Sequence, residues 1–493
     1  MTLKTFPALY ALALVGAVSC ASPESDEPFS LDDNDNAVAD GKADGLGGSG
    51  QPGCAAPSSP FIALGGTILQ SSGAKTGYVV IQDEKIVSIA ATAKDVPVGA
   101  TVVETGGVIS PGLMDLHNHV AYNFIPLWNS GKRFQNRYQW ARIAGYSTAV
   151  KAPYNAVKAN NQCQAVKYGE LRALVGGTTT IQGSVDLACT RSLVRNVEFV
   201  NFCEDHIRQN VLAINTLDQS DADSLNKQFA SNMTRAFFVH LAEGIDDSSR
   251  AEFEQLRALN LLKPQVVGIH STALTEAQIN EMGKIGMKIV WSPLSNLILY
   301  GKTTNIPAAL KAGVTVALAP DWSPSGSANV LGELKVADRV NQTLFGGVIT
   351  DQQLWEMATK NPARIAAMSD QLGEIAPGRF ADLMVVRGDA TKPYRAIINA
   401  RPQDVLLTTI SGKPYFGTAA ILDALGQRDK YQTVDACGEP RGLTVATGEA
   451  TVPGSKETLA DLTNAFTAAG VSNYIPLFQC DAAPEWAFAN ISK

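Results

Sequence analysis

From residue 60 onward the chain alternates apolar and polar positions in short runs, at 61–69, 78–82 and 85–90. Period-two alternation rich in β-branched residues predicts half-buried strands, with Gln82-Asp83-Glu84-Lys85 as the turn between the last two. A similar pair returns late, at 381–387 and 405–415, where Gly412-Lys413-Pro414 breaks the second run. Strands at both ends of a long middle predict one small β-domain assembled from two chain segments. The middle itself reads differently. Apolar, strand-like runs recur at 112–117, 178–183, 193–200, 211–214, 235–240, 265–270, 287–292 and 314–321, and helical stretches such as 273–285 and 305–312 separate most of them. Eight strands with intervening helices predict an α/β fold, a (β/α)8 TIM-type barrel, beside a small composite β-sandwich domain formed from both flanks. The predicted boundaries are 60–111 for the first β-segment, 112–370 for the barrel, 371–420 for the second β-segment and 421–493 for a C-terminal extension.

Charge adds little to this picture once it is localised. The net charge is −7 over 493 residues. Between Ser22 and Gly45 there are eight acids and one base, which gives 1 − 8 = −7 and leaves 39 acids and 39 bases elsewhere. The body is balanced, and nothing in it suggests a nucleic-acid surface. Before this acidic stretch, Lys4 and an apolar run from Ala8 to Val18 read as an export signal, too short to span a membrane. Gly16-Ala17-Val18-Ser19-Cys20 resembles a bacterial lipoprotein box, in which Cys20 would be lipidated. Ala17 departs from the commoner Leu, so ordinary secretion and an uncleaved apolar start are the alternatives. Residues 1–20 are thus read as a signal and 21–59 as a solvated acidic tether. The expected location is the bacterial cell envelope, with membrane contact only through the lipid anchor.

Cysteine usage agrees with export. Without Cys20, six remain: Cys54, Cys163, Cys189, Cys203, Cys437 and Cys480. An even count in an oxidising compartment permits up to three disulfides. Cys437 with Cys480, and Cys163 with either Cys189 or Cys203, are the pairings considered, against unpaired buried thiols. No Cys-x-x-Cys spacing is present, so a thiolate metal site has little support.

The candidate chemistry lies at strand ends, where barrels of this kind place their working residues. The chain has five histidines, and four fall there. His117 and His119 close the first strand two residues apart, which alternation places on one side. His240 closes the fifth strand, His270 the sixth, and Asp321 the eighth. Neutral imidazoles suit zinc, and a carboxylate can ligate the ion or accept a proton from its water. One histidine at a strand end is more often a structural group, but four of five with His-x-His on the first outweigh that reading. His206 lies away from a strand end and reads as surface or core. Glu243, three residues past His240, could reach over the metal site and pass protons, or be a solvated loop acid.

These residues resemble the amidohydrolase superfamily over about 65–417. Val108-Ile109-Ser110-Pro111-Gly112-Leu113-Met114-Asp115-Leu116-His117-Asn118-His119 is similar to its opening metal motif, and Gly177-Thr178-Thr179-Thr180 to its second-strand signature. Ser292-Pro293-Leu294-Ser295-Asn296-Leu297 resembles the seventh-strand motif of its cytosine-deaminase and triazine-hydrolase-like branch. Asn361-Pro362-Ala363-Arg364 and the run from Gly373 to Leu383 resemble its closing pattern. The resemblance implies a metal-dependent hydrolase acting on a non-peptide carbon–nitrogen bond of a small molecule: a ring amide, an amidine or an amino-heterocycle. It implies His117, His119, His240 and Asp321 as metal ligands and His270, Glu243 and Asp321 as catalytic, His270 ligating weakly or orienting the water and substrate and the two acids moving protons. The cofactor implied is one divalent ion, zinc first, with iron or manganese as alternatives. Members with two metals use a bridging lysine on the fourth strand, and no lysine lies between Arg191 and Asn226. Asp218 is the acidic alternative for a dinuclear, peptidase-like reading. A non-catalytic metal- or ligand-binding lipoprotein is the third. Tyr122, Trp128, Arg137 and Trp322 are the candidate substrate contacts, Arg137 for an acidic group and the aromatics as pocket walls. Homo-oligomerisation is left open, and the extension has no counterpart in the resemblance.

Overall fold

The computed structural model describes residues 60–480 apart from 184–188, 190–192, 200, 203, 211–213 and 450–451. Cys20, the tether, Cys54 and Cys203 lie outside the described residues. The alternating N-terminal runs form β1 (Ile62–Gln70), β2 (Gly73–Gln82) and β3 (Lys85–Ala90). They are followed by β4 (Thr101–Pro111), which the sequence reading passes over. Its pattern is interrupted by Gly106-Gly107, which reads as a turn. Gly106 has φ +63°, and a Cβ on Gly107 would stand 2.6 Å from the Val386 carbonyl oxygen. The pair is therefore a bulge with a close backbone approach inside a strand.

The parallel middle consists of β5 (Leu113–Asp115), β6 (Thr178–Ile181), β7 (Arg195–Asn196), β8 (Ile207–Asn210), β9 (Ala236–Leu241), β10 (Val266–His270), β11 (Lys288–Trp291) and β12 (Thr315–Leu318). Then come β13 (Leu383–Val386), β14 (Val405–Ile410), β15 (Lys413–Gly417), β16 (Gln432–Ala436) and β17 (Glu439–Leu443). Of the fourth predicted run, 211–214, residues 211–213 lie outside the described residues. Ile214 opens a short 3-10 turn, Ile214–Thr216, and the described part of the fourth strand is the largely polar Ile207-Arg208-Gln209-Asn210. Hydrophobic periodicity could not have found it.

Among the described residues the strands form three sheets. One runs β16-β17-β15-β14-β13-β4-β1-β2-β3, so both flanks contribute to it with β4 at the seam. The extension joins its edge through β17, with Phe416 opposite Leu443. The other two are the parallel sets β5-β6-β7 and β12-β11-β10-β9-β8. Past the ends of β5 and β12, Asp321 N–H donates to the His117 carbonyl at 3.1 Å and His119 N–H to the Asp321 carbonyl at 3.1 Å. Helices between the strands start where the sequence supplies caps: Asp218, Asp246, Thr275, Asn305 and Asn329 each accept a backbone N–H three residues on. On β9, Ala236 and Phe238 enter a core cluster with Val267, Ile269, Val290 and Ala317. Alternation puts His240 on that same face.

A buried ion pair ties the parallel strands to the large sheet. Arg195 on β7 donates from Nε to Asp382 Oδ2 at 3.0 Å, and from Nη2 to Oδ1 at 3.3 Å. The Phe202 and Phe380 rings flank its guanidinium at 4.8 and 4.9 Å. Asp382 belongs to the closing motif, and this is its structural use. Asp382→Ala strands a buried cation, so urea unfolding should show a loss of about 3–5 kcal/mol. Removing the half-buried Asp404 beside the exposed Arg387 should cost about 1 kcal/mol or less.

The extension wraps back over the first strand-end loop. Cys437 pairs with Cys480, and Cys163 with Cys189. A helix, Leu459–Ala468, packs on the long helix Ala152–Leu174. Lys167 donates to the Gly454 carbonyl at 2.8 Å and Tyr168 to the Ile475 carbonyl at 2.6 Å. Phe466 stacks on Phe124 at 4.7 Å, and Ile475 N–H donates to the Phe124 carbonyl at 2.9 Å. Gln479 accepts from Ala328 N–H at 3.2 Å. No helix among the described residues is long and apolar enough to cross a membrane.

Candidate active site

Each chain segment that reaches the centre does so just where a strand gives out. β5 stops at Asp115, so His117 and His119 are carried by the turn that follows rather than by strand alternation. Asp115 shapes that turn, accepting from His117 N–H at 3.2 Å and from Asn118 Nδ2 at 2.6 Å. Ala242, His270, Ser271 and Asp321 all have positive φ, at 52°, 63°, 56° and 71°. Such left-handed turns are costly for non-glycine residues and persist where the surroundings impose them.

The four histidines converge. The His117 ring centroid lies 5.1 Å from that of His119, 4.7 Å from His240 and 5.1 Å from His270. Asp321 Oδ1 stands 3.1 Å from His117 Nε2 and 3.5 Å from His119 Nε2. Ligand atoms of His117, His240 and His270, and those of His117, His119 and Asp321, lie within 4.8 Å of one another. Both ring nitrogens of His117 and Nδ1 of His240 are buried without a hydrogen-bond partner. Leaving such groups unmade costs about 1–3 kcal/mol each, so the donor set fits a cation. His206, the fifth histidine, sits before β8 and meets the Ala366 carbonyl at 2.8 Å, a buried structural contact.

Glu243 is buried, not solvated. Its Oε2 lies 3.9 Å from His240 Nε2 and its Oε1 3.9 Å from His270 Nε2. Burial raises its pKa, against the pull of the Arg137 charge. Arg137 turns inward, 3.8 Å from Glu243, with 3% of its surface exposed. Burial would raise the Asp321 carboxyl as well, but the His117 imidazole and its histidine neighbours hold it low. Trp322 and Tyr122 stand beside His119, with ring centroids 5.2 and 6.4 Å away. Trp128 packs one layer back, on Phe134 and Tyr146. Asp218 is an exposed helix cap, accepting from Asp221 N–H, and belongs to neither group of converging donor atoms found among the described residues, so it is not the acidic bridge. A cavity of about 280 Å³ beside Lys335 and Arg401 is built from other residues altogether.

Sequence reasoning missed the partners of these groups. Tyr300 donates to Glu243 Oε1 at 2.6 Å and accepts from Trp140 Nε1 at 2.9 Å. Ser295 donates to Asp321 Oδ2 at 2.7 Å and shares a 2.8 Å bond with Ser325, which accepts from Trp322 Nε1 at 2.6 Å. Asn296 Nδ2 meets His270 Nδ1 at 3.1 Å, while its Oδ1 accepts from Thr303 at 3.3 Å and Thr303 accepts from Trp291 Nε1 at 2.7 Å. The Ser295-Asn296 pair in the seventh-strand motif was the available signal.

Burial pushes His119 and His270 down to about 3, with His240 also well below its ordinary value. In the metal-free protein these rings stay neutral while the unfolded chain protonates them near 6.5. The unfolded state therefore binds more protons between pH 6.5 and 3. The histidines' contribution is a loss of stability as pH falls through that window, and it vanishes above it. Urea titrations of the metal-free protein should show a pH slope for His270→Asn smaller by about 1.4 kcal/mol per unit near pH 5.

The amidohydrolase family model matches residues 108–415, from the end of β4 to β15. The chain belongs to the amidohydrolase family. This amidohydrolase is 29% identical over 194 residues to a 5-methylthioadenosine/S-adenosylhomocysteine deaminase of Syntrophobacter fumaroxidans, covering 36% of the chain and 44% of that relative. It is 23% identical over 372 residues to a 5′-deoxyadenosine deaminase of Methanothermobacter thermautotrophicus, covering 66% and 84%. Among solved structures, an adenosine deaminase from Xanthomonas campestris with bound zinc superposes with a TM-score of 0.59 at 18% identity, covering 75% of the amidohydrolase and 97% of that chain. Atrazine chlorohydrolase from Arthrobacter aurescens, complexed with zinc and atraton, superposes at 0.61 and 15%, covering 83% and 99%. These two share its fold.

Proposed function

We propose that the chain is a mononuclear metal-dependent hydrolase that removes the amino group of an amino-substituted heterocycle. The observation that carries this reading is the convergence of four histidines, Asp321 and Glu243 in one buried centre with orphaned ring nitrogens. His117, His119, His240 and Asp321 would hold one divalent ion, zinc by analogy with the Xanthomonas campestris deaminase. Such an ion supplies positive charge that brings a water's pKa toward neutrality and polarises the substrate. Glu243, kept within reach by Tyr300, takes the water's proton and returns it to the leaving nitrogen. His270 faces both carboxylates and orients the reacting group. Trp322 and Tyr122 offer aromatic faces against which a flat ring can lie. Names of relatives that act on deoxyadenosine and methylthioadenosine favour an aminopurine over a ring amide.

The two parallel sheets are read as one (β/α)8 barrel, supported by the backbone bonds between the β5 and β12 ends. Export is supported by two disulfides in the body, and a lipid on Cys20 rests on the lipoprotein-box resemblance of residues 16–20 alone. The test is metal content together with ammonia release from a panel of aminopurine nucleosides, aminotriazines and cyclic amides. About one ion per chain with ammonia from an amino-heterocycle supports the proposal. Opening of cyclic amides alone moves the reading to a ring-amide hydrolase, and a protein without metal or turnover sinks it.

A further inference from the structure

Three tryptophans each begin a hydrogen-bond chain, Trp322 from beside His119 itself, and each chain stops on a different group of the centre. Trp140 leads through Tyr300 to Glu243 Oε1. Trp291 leads through Thr303 and Asn296 to His270 Nδ1. Trp322 leads through Ser325 and Ser295 to Asp321 Oδ2. An indole N–H only donates, so it fixes the direction of every bond that follows. A hydroxyl that accepts from the indole has its own hydrogen left for the next partner inward. The middle links Ser295, Asn296 and Tyr300 all belong to one fully buried helix, Pro293–Tyr300.

We propose that this helix, anchored by the three indoles, distributes the hydrogens of the active centre and so assigns each working group its role. The proposal rests on the roles given above to Glu243, His270 and Asp321. On Asp321, Ser295 occupies Oδ2 and leaves Oδ1 toward His117 and His119, the ligand side. On Glu243, Tyr300 occupies Oε1 and leaves Oε2, 3.9 Å from His240 Nε2 and 3.8 Å from Arg137 Nη1, to carry the proton. On His270, Asn296 fills the Nδ1 acceptor, so the ring hydrogen sits on Nε2. From there it points toward Glu243 and Asp321, 3.9 and 4.0 Å away. His270 is then a hydrogen donor in the centre and not a ligand through Nε2. Tyr300, Asn296, Ser295, Thr303 and Ser325 act as positioning residues.

The test uses the full purified protein with ¹⁵N-labelled histidine and tryptophan. Wild type should show the His270 hydrogen on Nε2. Thr303→Val, two links out and touching none of the ligands, should admit the Nδ1–H form and lower kcat by about 10–100-fold with KM nearly unchanged. Tyr300→Phe should lower kcat to a similar extent and move the Trp140 indole resonance, identified with Trp140→Phe. A His270 hydrogen on Nδ1 in wild type overturns the proposal. So does a Thr303→Val protein with unchanged ring signals and unchanged kcat. Should wild type turn over no amino-heterocycle while the hydrogen is found on Nε2, the functional reading fails and the hydrogen assignment stands.

Discussion

A protein with His117 replaced by alanine is expected to lose its metal and its turnover together. His117 is the hub of the cluster: its ring lies within 5.1 Å of the other three, and it is the member shared by both groups of converging donor atoms. Without it the proposed ligand set falls from four to His119, His240 and Asp321, and the ion that would lower the water's pKa loses its central ligand. Metal content should drop from about one per chain to none, and kcat/KM by about four orders of magnitude or more. Wild type should also melt higher with metal than without, since an ion that binds only the folded chain stabilises it, whereas His117→Ala should melt at one temperature in both conditions. A variant that kept its ion and its activity would remove His117 from the centre.

Glu243→Gln is expected to separate binding from chemistry. Glutamine keeps the size of the side chain and can still accept from Tyr300, but it cannot take up a proton. Proton transfer by a positioned group contributes about 10²–10⁴-fold, so kcat should fall by that much with metal content intact and KM little changed. Loss of the ion in this variant would instead make Glu243 part of the metal shell. Equal loss in kcat and rise in KM would point to substrate contact.

The contrast between these two residues reflects what a linear sequence can carry. The convergence of four histidines was legible because strand-end histidines are rare and the strands before them are apolar. β9, β10 and β11 fall within a residue or two of the expected runs, since buried parallel strands read as continuous hydrophobic stretches. β8 escaped because its residues are mostly polar, and β4 because a glycine bulge reads as a turn. Glu243 was visible only by its spacing from His240, whereas its partner Tyr300 lies 57 residues on. Arg137 looked like a free cation for an acidic substrate because nothing local reveals that the fold turns it toward Glu243. Contacts between separate loops leave no periodic trace.

The pairing of Cys437 with Cys480 has a consequence for the order in which this molecule can be finished. Ile475 and Gln479 brace the loops after β5 and β12, which hold His119 and Trp322, yet they follow Phe124 by some three and a half hundred residues. The loop that bears the first ligands thus waits for late-made chain before it is supported on its outer side. Oxidation at Cys480 then makes that support permanent. Synthesis of the last residues, closure of the Cys437–Cys480 bond and bracing of this wall are then successive events, so a chain with that bond still reduced has its histidines in place along the sequence but one side of their housing without its covalent tie.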